Sequence, residues 1–141
     1  MKTFVLAVAI AAIPAGQTGA TGAAGSWTAE FKGETFIRLE LTMAGGRLGG
    51  TMSAGNVEVD KQGELSRVSA APGDPKPIFD VVQQGSMVTF ARKDEQDTDR
   101  FELRLLDSGR AELRFVLTDE LLKELAADGI PAPKPFVLRR R

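Results

Sequence analysis

Apolar and polar residues alternate with a period of two along much of this chain. In Thr35–Met43, TFIRLELTM, the residues Ile37, Leu39, Leu41 and Met43 alternate with Arg38, Glu40 and Thr42. Successive side chains of an extended strand point to opposite faces, so this stretch predicts a strand with one dry face and one wet face. Arg100–Leu106, RFELRLL, and Arg110–Leu117, RAELRFVL, alternate in the same way and are joined by Asp107-Ser108-Gly109, which predicts a hairpin. Phe101, Leu103 and Leu105 share one face of the first strand; Leu113, Phe115 and Leu117 share one face of the second. Ile78–Val82 and Ser86–Arg92 read as another hairpin around Gln83-Gln84-Gly85, with Val88 and Phe90 on its dry side. Arg47–Ser53 follows the turn Ala44-Gly45-Gly46, and Gly49 and Gly50 inside it suggest a bulge or a sharp bend. Asn56–Asp60 and Glu64–Ala70 are shorter pieces, and Ala71–Pro77, APGDPKP, is a loop by composition.

One segment leaves this period. Thr118–Asp128, TDELLKELAAD, opens on an N-cap threonine, carries acids in its first turn and places Leu121, Leu122 and Leu125 on one side, with Gly129 following. It predicts a short amphipathic helix. Pro131, Pro133 and Pro135 stop it, and Phe136–Arg140 resumes as a last strand. Roughly eight or nine hairpin-linked strands, each with one dry face, must cover those faces by closing on themselves or by folding into two sheets. The expected class is therefore all-β: an antiparallel up-and-down meander closing into a barrel of about eight strands, with one helix before the last strand. A two-sheet sandwich is the alternative.

The first residues follow a different logic. Met1-Lys2 precedes the apolar run Thr3–Ile13, Pro14 breaks it, and Thr18-Gly19-Ala20 offers small residues for a peptidase. The run is well short of the ~20 residues a membrane-spanning helix needs. Residues 1–20 therefore read as a cleaved secretory signal, with Ala23 and Ala24 as alternative cleavage points, and no stable membrane anchor is expected. Residues 21–25 read as a flexible start and 26–141 as the domain. The protein is expected to be secreted or periplasmic. The sequence has no cysteine, so neither a disulfide nor a lipid-bearing cysteine supports it, and its core must hold the fold alone. Net charge is −1 with both signs interspersed, which gives no basic stripe for nucleic acid. Histidine and tyrosine are also absent, which removes the commonest general base and the commonest neutral metal ligand.

Gly25-Ser26-Trp27 at the first strand, the meander, the helix before the last strand and the arginines Arg139 and Arg140 at its end together resemble a calycin barrel, the superfamily of lipocalins, avidins and fatty-acid-binding proteins. More narrowly, Gly46-Arg47-Leu48-Gly49-Gly50-Thr51 and Pro135-Phe136-Val137-Leu138-Arg139 are similar to segments of small lipocalin-like modules of secreted bacterial proteins. The resemblance implies that Trp27 plugs the barrel floor, with Arg139 or Arg140 against its face. The physics of the ring agrees: a tryptophan buries a large area and wants a partner for its N–H.

Candidate chemistry is sparse. The acidic run Asp94-Glu95-Gln96-Asp97-Thr98-Asp99 lacks the glycine and terminal glutamate of a calcium loop and reads as a solvated hairpin tip. Asp80 lies between Phe79 and Val81 and by alternation shares a face with Ile78 and Val82; that face is read as the outer one, and an inward one would raise its proton affinity. Arg38, Arg104 and Arg114 are expected to pair across strands with Glu40, Glu102 and Glu112. No serine has a base at useful spacing, so the protein is not expected to be an enzyme, and no cofactor or metal is expected. Two functional readings follow. In the first, the barrel is a binding module whose interior, formed by Ile37, Leu39, Leu41, Val88, Phe90, Phe101, Leu103, Leu113 and Phe115, takes a small hydrophobic or amphipathic ligand, with the helix over an opening. In the second, those side chains fill the interior themselves and the protein is an accessory domain that docks a protein partner.

Overall fold

The computed structural model describes residues 22–94 and 97–141. The signal-like segment and the Glu95-Gln96 tip of the acidic run therefore lie outside the described residues. From Gly25 onward the described residues form, in order, β1 (Gly25–Phe31), β2 (Glu34–Ala44), β3 (Arg47–Ala54), β4 (Val57–Val59), β5 (Leu65–Val68), β6 (Lys76–Gln84), β7 (Met87–Asp94), β8 (Asp97–Leu105), β9 (Arg110–Phe115), α1 (Asp119–Ala127) and β10 (Phe136–Arg140). Eight strands close into an antiparallel barrel in the order β1-β10-β9-β8-β7-β6-β3-β2. Closure gives every wall strand two neighbours, although β3 and β6 meet only at Thr51↔Pro77 and Met52↔Lys76, and it lets a meander with one dry face per strand hide that face. The short strands β4 and β5 do not join the wall. They pair only with each other, as a hairpin inserted between β3 and β6.

The dry faces converge. Leu39, Leu41, Val88, Phe90, Leu103, Leu113 and Leu138 are all buried in one cluster with Trp27 and Met52. Each such side chain stabilises the fold by about 1.5–3 kcal/mol relative to exposure. The alternation predicted for β2 holds through Leu41 and ends there, because Met43 is 39% exposed near the strand's end.

Two bulges in the barrel wall interrupt the period. Pairing between β1 and β2 steps from Ala29↔Ile37 to Glu30↔Thr35, leaving Phe36 as an extra residue. Phe36 and Ile37 are consequently both buried although adjacent. Pairing between β6 and β7 steps from Phe79↔Ala91 to Val82↔Thr89, so Asp80 and Val81 together oppose one residue. Asp80 adopts φ 53°, the left-handed region that Asp tolerates better than most residues. Ile78 is then 8% exposed and Val82 51% exposed, so the two do not share a face as strict alternation predicts. The Asp80 carboxylate is exposed and lies 3.5 Å from the Arg100 guanidinium.

Of the two irregularities suggested at Gly49-Gly50, the bulge is absent. β2 and β3 pair without interruption from Ile37↔Ala54 to Ala44↔Arg47, with no bulge at Gly49-Gly50. Gly50, at φ 151°, is required for a different reason: a Cβ there would collide with the Glu40 carbonyl of the neighbouring strand. The charged pairs also differ in part from expectation. Arg114 Nε donates to Glu102 Oε1 at 3.1 Å, and Arg104 stands opposite Glu112. Arg38 and Glu40 instead lie two apart on one strand, each flanked by hydroxyl residues of β1 and β3.

Candidate functional site

The two ends of the barrel are built differently. At the lower end, the Trp27 indole is fully buried and its Nε1–H donates to the Ala23 carbonyl at 2.9 Å. The Arg140 guanidinium lies 4.4 Å from the ring centroid. Arg140 also donates from Nε to the Ser108 carbonyl at 2.7 Å, and its two terminal nitrogens reach the carbonyls of Gly22 and Ala24. Of the two arginines named by the resemblance, Arg140 covers Trp27, and Arg139, one register position away, is exposed. Gly25 has no side chain because a Cβ there would come 2.5 Å from Arg140 Nη1. The turn that presents Ser108 is itself braced. Asp107 accepts from the Gly109 N–H at 2.9 Å and from Arg110 Nε at 3.0 Å. The Gly109 hydrogen bond first, and the Arg110 side chain next, hold the Asp107 carboxyl below the usual carboxylate range.

Above this floor the interior is filled. Phe90 stacks on Phe101 at 5.3 Å, Phe101 meets Phe115 at 5.0 Å, Phe115 meets Phe136 at 6.1 Å, and Phe136 meets Phe36 edge-on at 5.5 Å. This chain of rings crosses the barrel near its upper end. Arg92 is buried among them, its guanidinium 5.8 Å from the Phe101 ring and 3.9 Å from the Asp99 carboxylate.

The upper end opens beyond the rings. The Thr118 hydroxyl caps α1 by accepting from the Leu121 N–H at 3.1 Å. The helix closes with Gly129 N–H to Ala126 carbonyl at 3.1 Å and Ile130 N–H to Leu125 carbonyl at 2.8 Å, which turns the chain sharply toward the proline strap. That strap is tied to the inserted hairpin by Lys134 N–H to Gly63 carbonyl at 3.0 Å. Between helix, strap, hairpin and barrel rim lies an open groove of about 920 Å³. Its apolar surfaces come from Val57 and Val59 of β4, Phe79 of β6, Phe115 and Val116 at the end of β9, and Leu121, Leu125 and Ile130 around the helix. One wall is polar, formed by Thr98, Asp99 and Arg100 of β8. No residue of α1 is fully buried, and Leu121, Leu122 and Ile130 are 40–45% exposed, so the helix borders the opening without sealing it.

The nine residues predicted to form the interior are brought together as one cluster. Eight of them face one another inside the barrel and are buried; Phe115 alone of the nine reaches the groove. Sequence reasoning identified the apolar stripe of the helix but missed its partners on β4 and β6. Val57 and Val59 sit in a strand too short to show a period, and Phe79 stands beside a bulge that breaks one. Among the described residues there is no metal-binding cluster of acidic side chains. No described helix is long and apolar enough to cross a membrane.

Comparison with protein-family models, with curated proteins and with solved structures finds no match to this chain. The closed eight-stranded antiparallel barrel is consistent with a lipocalin-like architecture, and the geometry alone carries the functional argument.

Proposed function

We propose that the protein is a binding module, not an enzyme, and that a small hydrophobic or amphipathic molecule sits in the groove at its upper end. The observation that supports this most directly is the groove itself: an opening of about 920 Å³ bordered by aliphatic and aromatic side chains with one polar wall. Ligand pockets commonly measure about 300–1,000 Å³ and combine mostly apolar lining with a few placed polar groups. An apolar tail would lie along Phe115, Leu121 and Leu125, with its polar end toward Thr98, Asp99 and Arg100. This reading moves the ligand from the barrel interior to the rim, because the interior side chains already contact one another. It also includes export, with residues 1–20 removed; N-terminal sequencing of the protein recovered outside the cytoplasm tests that part.

Trp27 is a poor reporter for this site, since it lies at the opposite end. The direct test is a titration with 8-anilinonaphthalene-1-sulfonate, followed by displacement with fatty acids of graded length. Saturable binding that disappears in Leu125→Asp supports the reading. Absence of saturable binding overturns it and favours the second reading, a filled barrel whose exposed Leu121 and Leu122 meet a protein partner.

A further inference from the structure

The outer wall carries a second cleft, unrelated to the groove. Strand register places Ser26 beside Glu40 and Glu40 beside Thr51 across β1, β2 and β3. The next row in the same sheet is Thr28, Arg38 and Ser53. Six polar side chains thus form two adjacent rows of three. Among the described residues, none of the six has a side-chain hydrogen bond or an ion pair within the protein. The outer face of β8 and β9 behaves differently, because Arg114 and Glu102 there satisfy each other.

Two of the six are more than nine-tenths buried: Thr28 is 7% exposed and Ser53 is 5% exposed. Neither hydroxyl is a buried atom left without a partner, so both oxygens open onto the cleft they line, where a ligand can reach them. The burial comes from the loop after β5. Its Ala71 N–H donates to the Thr35 carbonyl at 2.9 Å, and Pro72, Gly73 and Pro75 border the two rows. Arg141 closes one side, held by its N–H on the Ser26 carbonyl at 2.8 Å. The result is a cleft of about 400 Å³ with no aromatic side chain in it.

The chemistry of the lining selects a ligand. Glu40 accepts only and repels a bare anion, so the ligand must bring donors to it. Arg38 and Arg141 donate only and call for an acceptor, best a carboxylate, which a guanidinium can grip with two parallel bonds. The four hydroxyls can each donate and accept, as the hydroxyls of a sugar do. We propose that this cleft binds an acidic saccharide, with its carboxylate on Arg38 and its ring hydroxyls against Glu40, Thr28 and Ser53. The spacing between neighbouring strands, about 4.8 Å, is on the scale of one sugar ring.

The test is a titration of the 15N-labelled protein with digalacturonate, with galactose and acetate as controls. The expected result is saturable amide shifts confined to β1–β3 and residues 71–75, with a weaker response to galactose and none to acetate. Arg38→Ala should weaken binding by roughly tenfold or more. Arg38 is exposed, so this variant should keep the wild-type circular dichroism spectrum. Ser53→Ala should weaken binding by a smaller factor. No shift up to the solubility of the sugar overturns the proposal. So does an equal response to acetate, a response located at the α1 groove, or unchanged binding by Arg38→Ala.

Discussion

The barrel's lower end is a plug and its upper end is a frame. At the floor, one arginine engages the Trp27 face, the Ser108 carbonyl and two carbonyls of the segment before β1. At the rim, a helix with no fully buried residue, a proline strap and a two-stranded hairpin hold apolar side chains apart. The same kinds of residue serve opposite ends because of what covers them. The floor is sealed by charge-assisted hydrogen bonds to backbone, which need fixed geometry. The rim is held by a few backbone contacts, which leave its leucines half in water. Stability should therefore depend on the floor, and ligand capture on the rim.

Four experiments can break or sharpen that division. Trp27→Ala should cost the most, about 3–5 kcal/mol in denaturant unfolding, since it empties a fully buried site. A loss under about 1 kcal/mol would show that the ring does not plug the core. Arg140→Ala should cost about 1.5–3 kcal/mol, the range for hydrogen bonds made by charged groups, while Arg139→Ala should change stability by less than about 0.5 kcal/mol. Equal effects of the two would contradict the clamp.

A smaller effect is expected from Asp107. Its folded-state proton affinity is lowered, so its contribution is present above the unfolded-state pKa and is lost as pH falls through the folded-state value. Asp107→Asn should therefore flatten the acid limb of a melting-temperature profile, and an unchanged acid limb would remove this turn from the brace. Smallest of all, Leu121→Ser should shift stability by less than about 0.5 kcal/mol while abolishing dye binding at the groove. A large stability loss there would mean that the helix seals the barrel.

Much of this division could be read from the residues. Period-two alternation in Thr35–Met43, Arg100–Leu106 and Arg110–Leu117 predicted the strands and their dry faces, while the pairing of Trp27 with Arg139 or Arg140 at the floor was implied only by the resemblance to calycin barrels. Alternation cannot report a bulge, which is a property of two strands together. Phe36 and Ile78 joined the core for that reason, while Val82 stayed outside. Nor can it say how full a barrel is, because the same leucines and phenylalanines line a cavity or fill one depending on strand tilt and ring packing. The candidate groove was the least legible part. Its lining comes from strand ends, a short helix and an inserted hairpin, whose proximity only the closed topology creates.

That topology also sets a timetable. Phe136–Arg140 pairs with β9 on one side and β1 on the other, joining the two ends of the sheet. Until these five residues emerge during synthesis, seven wall strands exist with two open edges and Trp27 has no cover. Completion of the barrel thus waits for its last strand. A nascent chain stalled before Phe136, or a product clipped in the proline strap, would expose strand edges fit for pairing with another chain. A cut in the strap that frames the groove would thus sever the strand that closes the barrel.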